Sequence, residues 1–220
     1  MDLLIFDLDG TLVDSRLDLA NAVNAMREHL GLSPLTNQVV YTYVGNGASV
    51  LVRRALGEHA AEPEFRKGLA FFMEYYAAHD LEYTALYPGV RESLDRFRDA
   101  GKRMAVLTNK PTQMSRHILE GLGVDGHFFR VFGGDSFKVG DSEQKKPDPI
   151  GVETLMREAC VDRTRTMMVG DSAVDVATAR NAGIACCGVT YGFQPESLAD
   201  PAPELLVDRM EQFADWLLKK

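Results

Sequence analysis

The sequence has little that would staple it together or tie it to a membrane or a nucleic acid. Only three of its 220 residues are cysteine, and Cys160, Cys186 and Cys187 form no Cys-x-x-Cys pair. That excludes a disulfide framework. The three are expected as small buried thiols of a reducing compartment. Five histidines, His29, His59, His79, His117 and His127, are scattered without metal-ligand spacing. No stretch reaches the ~18 consecutive apolar residues of a membrane helix. Basic residues are in deficit, Lys+Arg 24 against Asp+Glu 32, for a formal net charge of −8. This argues against a nucleic-acid footprint or a polybasic membrane anchor. The opening Met1-Asp2-Leu3-Leu4 has no basic segment, so no signal peptide is expected and a cytoplasmic location is. There are no internal repeats and no low-complexity tracts.

What is present is ordinary globular composition, 45% hydrophobic and 25% charged, arranged in a definite alternation. Leu3-Leu4-Ile5-Phe6 is a short continuous apolar run, and such a run suits a strand buried on both faces. Similar runs are Met104 to Leu107, Phe128 to Phe132, Thr166 to Val169, Ile184 to Val189 and, more weakly, Leu205 to Val207. Helical patterns lie between them, such as Val90, Leu94 and Phe97, or Val152, Leu155, Met156 and Ala159. Asp148 is expected to cap the second of these, with Pro149 at its first position. Alternating strands and helices predict an α/β fold with a parallel sheet. One region breaks the alternation. Residues 15–83 show helical patterns only, beginning with Leu19, Val23, Met26 and Leu30, then Gly47 to Leu56 and Glu64 to Ala78. They predict an all-helical insert between residues 1–14 and 84–220.

The polar residues that follow the strands carry the chemistry. Asp7-Leu8-Asp9-Gly10-Thr11 ends the first strand, Thr108-Asn109-Lys110 the second, and Gly170-Asp171-Ser172 a later one, with Asp175 four residues beyond Asp171. Lys145-Lys146-Pro147 precedes a helix. Ligands of open α/β sheets sit outside the carboxyl ends of the strands, so these residues are expected at one rim. Several carboxylates brought so close repel one another and call for a cation. All-oxygen ligands favour Mg²⁺ over zinc. Metal, lysine and hydroxyl together suit a dianion such as a phosphate monoester. One carboxylate could attack phosphorus while a second moves protons. The two-residue spacing of Asp7 and Asp9 does not fix their relative aim, because Gly10 lets the backbone turn.

These four segments, in their order along the chain, resemble the motifs of the haloacid dehalogenase superfamily of Mg²⁺-dependent phosphatases. The resemblance covers nearly the whole chain. It implies a Rossmann-like core with an inserted helical cap. By matching position, Asp7 would be the nucleophile and a metal ligand. Asp9 would be the general acid/base, with its backbone carbonyl on the metal. Thr108 and Lys146 would hold phosphoryl oxygens, and Pro147 selects Lys146 over Lys145 as the motif lysine. Asp171 would be a further metal ligand, supported by Asp175, which is also assigned to the metal site.

Tyr43-Val44-Gly45-Asn46-Gly47, Gly133-Gly134-Asp135 and Tyr191-Gly192 are most similar to bacterial phosphoglycolate phosphatases. This implies 2-phosphoglycolate as substrate, with pyrophosphate and sugar phosphates as open alternatives. Gly45, Asn46 and Gly47 of the cap, Asn109 and Arg16 would then contact substrate, the cap closing over the leaving group. Two features depart from that subfamily's pattern: the long polar segment Ser136 to Gln144, and Arg16 where a small residue is expected. A phosphomutase of the same fold and a phospho-acceptor signalling domain are the rival readings. The partner is a small phosphorylated metabolite, with neither nucleic acid nor membrane, and the chain is expected as a monomer or homodimer.

Overall fold

Leu3–Phe6 forms strand β1, and all four residues are buried because the strand is covered on both faces. Five more strands complete a sheet: β2 (Arg103–Leu107), β3 (Arg130–Phe132), β4 (Thr166–Gly170), β5 (Ala185–Val189) and β6 (Leu205–Val207). In this computed structural model, residues 1–57, 59–140 and 142–219 are described. They divide into two compact units, residues 1–14 with 86–220, and residues 15–85.

In the first unit the strand order is β6-β5-β4-β1-β2-β3, with every neighbour parallel. β1 pairs Leu4 with Met104 on one side and with Met167 on the other. The chain builds outward through β2 and β3, then returns to the other flank of β1 to start β4. The strand order therefore reverses beside β1, at the kind of crevice where α/β sheets bind ligands.

Alternation along the strands sends neighbouring side chains to opposite faces. Leu3, Ile5, Ala105, Leu107 and Met168 pack with Val152, Leu155, Val176 and Ala179. These last come from helices α7 (Ile150–Ala159) and α8 (Ala173–Ala182). On the opposite face Phe6 lies 6.1 Å from Phe97, which lies 5.4 Å from Phe213. Phe97 belongs to α5 (Val90–Asp99) and Phe213 to α9 (Met210–Leu218). The remaining helix of this unit, α6 (Thr112–Gly121), follows β2.

Among the described residues of 15–85 there are four helices, α1 (Arg16–His29), α2 (Asn37–Tyr41), α3 (Ala48–Leu56) and α4 (Glu62–His79). Leu19, Val23 and Met26 of α1 are buried, as are Phe72 and Tyr76 of α4. Gly68 lets the helices approach, since a Cβ there would press on Leu56, Leu30 and Met26. Asp18 is buried and accepts hydrogen bonds from the Tyr83 and Thr84 amides and the Thr84 hydroxyl.

Several local expectations need correction. Phe128 and Phe129 lie outside β3, because the chain first makes a 3₁₀ turn over Asp125–His127. Pro149, not Asp148, is the capping residue of α7, although Asp148 Oδ1 still accepts from the Ile150 amide at 2.9 Å. Leu30 lies just past the end of α1. Cys160 is exposed, unlike the buried Cys186 and Cys187. Phe71 and Tyr75 stack half-buried with His29 and His79 in one line of rings.

Candidate active site

Strand β1 stops at Phe6, and the next residue, Asp7, is buried. Its Oδ1 accepts from the Leu8 amide at 2.7 Å and from Lys146 Nζ at 2.9 Å. The same ammonium donates to Asp175 Oδ1 at 2.6 Å. Asp175 is fixed from the other side, since its Oδ2 accepts from the Ser172 amide and hydroxyl in a capping box at the start of α8. Such a box satisfies two amides that would otherwise be orphaned at a helix N-terminus.

Asp171 ends the neighbouring strand β4. A Cβ on either Gly10 or Gly192 would overlap its side chain, so both positions need glycine. Gly10 also has φ +87°, which side chains rarely adopt. The Phe193 amide donates to Asp171 Oδ2 at 2.6 Å. Asp7, Asp171 and Asp175 offer carboxylate oxygens that all lie within 4.8 Å of one another.

Three buried carboxylates therefore face one ammonium. Burial, reinforced by Asp175, pushes the Asp7 carboxyl up to about 6 against the pull of Lys146. Burial, with Asp175 and Asp7 adding to it, pushes Asp171 up to about 8. For Lys146 burial opposes the charge, but Asp175 and Asp7 outweigh it and the ammonium is held well above its ordinary range. A cluster of hard oxygen donors short of positive charge is the donor set that suits a hard divalent cation.

Asp9 points elsewhere. Both of its oxygens lie 3.0 Å from Lys110 Nζ. Asp7 and Asp9 are thus aimed at two different lysines. Thr108 is buried at the end of β2, and its Oγ1 accepts from the Lys110 amide at 3.3 Å. Asn109 is also buried, and its Nδ2 donates to the Lys146 carbonyl at 3.2 Å. Asn109 therefore touches the loop that carries the lysine. Arg16, Gly45, Asn46 and Gly47 belong to the other unit, residues 15–85. Arg16 stands over the Tyr41 ring, 5.6 Å from its centroid. Gly45 and Gly47 have φ of +110° and +88°, and Gly47 precedes α3.

Sequence reasoning did not assign Lys110, Ser172 or Gly192 to the site. Ser172 stands three residues before Asp175, the spacing of a capping box, and that signal was there to be read.

Residues 4–189 match the model of the haloacid dehalogenase-like hydrolases. A phosphoglycolate phosphatase of Vibrio parahaemolyticus is 39% identical over 219 residues, covering 93% of this chain and 94% of that protein. One from Pseudomonas putida is 43% identical over 214 residues, covering 94% of this chain and 76% of that protein. A crystal structure from Haemophilus somnus, described as a predicted phosphoglycolate phosphatase, superposes with a TM-score of 0.90 at 34% identity, covering 99% of this chain and 96% of that one. The chain belongs to the haloacid dehalogenase-like hydrolases.

Proposed function

We propose that this hydrolase is a Mg²⁺-dependent phosphatase that cleaves 2-phosphoglycolate to glycolate and phosphate through an aspartyl-phosphate. The observation that carries the reading is the placement of Asp7 at the end of β1, buried, with its carboxylate on Lys146 and with Asp171 and Asp175 beside it. The substrate itself rests on relatives that bear the name phosphoglycolate phosphatase.

Asp7 is the nucleophile. Its carboxylate oxygen forms a bond to phosphorus while the bond from phosphorus to the glycolate oxygen breaks. Asp9 gives that oxygen a proton as it leaves, then takes one from the water that attacks the aspartyl-phosphate. The water's oxygen bonds to phosphorus, the Asp7–phosphorus bond breaks, and phosphate departs. Lys146 and the Thr108 hydroxyl hold the phosphoryl oxygens. Lys146 is preorganised for this because Asp175 and Asn109 fix its ammonium and its carbonyl.

Asp7, Asp171 and the Asp9 carbonyl would hold Mg²⁺. When bound, the ion neutralises charge on the carboxylates and on the phosphoryl group. Asp175 belongs to the acidic cluster, but both its oxygens are engaged by Lys146 and Ser172. Its contribution to the metal is through the charge and placement of the lysine. Cys160, Cys186 and Cys187 are free thiols, which supports a reducing, cytoplasmic setting.

The test is phosphate release from a panel of phosphorylated metabolites and pyrophosphate, with Mg²⁺ and with EDTA. The expected result is the highest kcat/KM for 2-phosphoglycolate and no turnover in EDTA. Equal rates across the panel would overturn the substrate assignment. Turnover in EDTA would overturn the metal assignment.

A further inference from the structure

Lys110 has no role in the reaction as written, yet it is as deeply placed as the residues that do. Its side chain is 5% exposed and the Asp9 side chain 14%. One ammonium spans both Asp9 oxygens at 3.0 Å, which fixes the carboxylate plane as well as its position. An aspartate side chain has several staggered rotamers open to it. The lysine selects one.

The backbone that carries the lysine is itself held in place. The Gly134 amide donates to the Lys110 carbonyl at 3.0 Å. A Cβ on Gly133 would overlap the Lys110 carbonyl and the Thr112 amide, and one on Gly134 would crowd the Asn109 carbonyl. Asp135 Oδ1 accepts from the Thr112 amide at 2.9 Å and from its hydroxyl at 2.5 Å, at the start of α6. Gly133-Gly134-Asp135 is thus a backbone clamp on residues 109–112, and the side chain the clamp presents to the reaction is Lys110.

We propose that Lys110 is the positioning residue of the proton-transfer group: it sets the aim of Asp9, and the Gly133-Gly134-Asp135 clamp sets the aim of Lys110. The inference rests on the reading of Asp9 as general acid/base. Lys110 forms no bond to substrate in this scheme. Its contribution is geometric, and a carboxylate displaced by about 1 Å costs on the order of 10²-fold in rate.

The experiment compares two esters in the first chemical step, measured in single turnovers with Mg²⁺. 2-Phosphoglycolate needs a proton on its leaving oxygen. p-Nitrophenyl phosphate does not, because nitrophenolate is a good leaving group. In Lys110→Met the first step on 2-phosphoglycolate should fall on the order of 10²-fold, with the nitrophenolate burst kept within a few-fold. The retained burst also reports a folded enzyme. Lys110→Arg should recover most of the loss. The double variant Asp9→Asn/Lys110→Met should be no slower than Asp9→Asn alone, since two residues acting as one unit are not additive.

Equal losses on both esters, a raised KM with unchanged kcat, or additive losses in the double variant would each overturn the proposal. Asp9→Asn alone separates this from a failure of the underlying reading. If that variant loses both esters equally, Asp9 is not the acid and the role of Lys110 falls with it. If Asp9→Asn discriminates between the esters and Lys110→Met does not, only the positioning role is lost.

Discussion

Lys146 Nζ lies 2.6 Å from Asp175 Oδ1, and both side chains are almost completely buried. This pair brings the ends of two elements together, because Asp175 is locked to the start of α8 while Lys146 precedes α7. A second of the ammonium's three protons meets Asp7 Oδ1 at 2.9 Å.

Removing that charge leaves three buried carboxylates with no ammonium between them. Lys146→Met should lower stability by about 3–5 kcal/mol in metal-free buffer, the cost of breaking a buried pair from one side. Added Mg²⁺ should restore part of it. Thermal unfolding with and without Mg²⁺ measures both. Phosphatase activity should fall on the order of 10²-fold or more, since a charge aimed at the phosphoryl group is lost.

Glycine is demanded on two sides of Asp171. Gly192→Ala places a methyl group onto the Asp171 side chain and the Gly10 carbonyl. Gly10→Ala adds a strained φ to the same overlap. Either variant should weaken Mg²⁺ binding at least about 10-fold, the scale seen when the support of a metal ligand is disturbed. Isothermal titration with Mg²⁺ measures it. An alanine at Gly183, where a Cβ would meet only the end of the Arg163 side chain, serves as a strained-glycine control remote from the carboxylates and should leave Mg²⁺ affinity unchanged.

Asp7 and Asp171 have carboxyls raised to about 6 and about 8, against about 4 in an unfolded chain. The folded, metal-free protein therefore holds these protons more tightly than the unfolded chain does. Their contribution favours folding below about pH 4 and is lost as pH rises through about 6 and about 8. Metal competes with the same protons. Mg²⁺ affinity should fall as pH drops from 8 toward 6, and the stabilisation by Mg²⁺ should be largest above pH 8. Melting temperatures across pH, with EDTA and with Mg²⁺, check both slopes.

The packing of Phe97 between Phe6 and Phe213 supports the sheet from which Asp7 emerges. Phe97→Ala should destabilise the protein by about 3–5 kcal/mol. Denaturant unfolding gives the value. The preference among substrates should be unchanged where the variant is folded.

The parallel strands could be read from sequence because burial on both faces writes them as unbroken apolar runs, as at Leu3–Phe6. Short elements could not. The five residues of α2, Asn37–Tyr41, are fewer than two turns and carry no periodicity. Phe128 and Phe129 are apolar but sit beside a 3₁₀ turn, and hydrophobicity alone does not separate that from a strand. The acidic cluster was visible because each member follows a strand, and a parallel sheet brings strand ends together. The separate aims of Asp7 and Asp9 were not visible. Their two-residue spacing would put them on one face of a strand, but the strand stops at Phe6, before either of them. Lys110 was hidden for a related reason: its partner Asp9 is 101 positions away, and nothing local distinguishes one lysine at a strand end from another.

The most direct test is the fate of the phosphoryl group on Asp7. Enzyme mixed with ³²P-labelled 2-phosphoglycolate and Mg²⁺, then quenched in acid, should carry acid-stable label that alkali or hydroxylamine releases, as an acyl phosphate does. Asp7→Asn should carry no label and show no turnover, while Asp9→Asn should still be labelled, more slowly. An Asp7→Asn variant that turned over at a near-normal rate with Mg²⁺ present would contradict the nucleophile assignment.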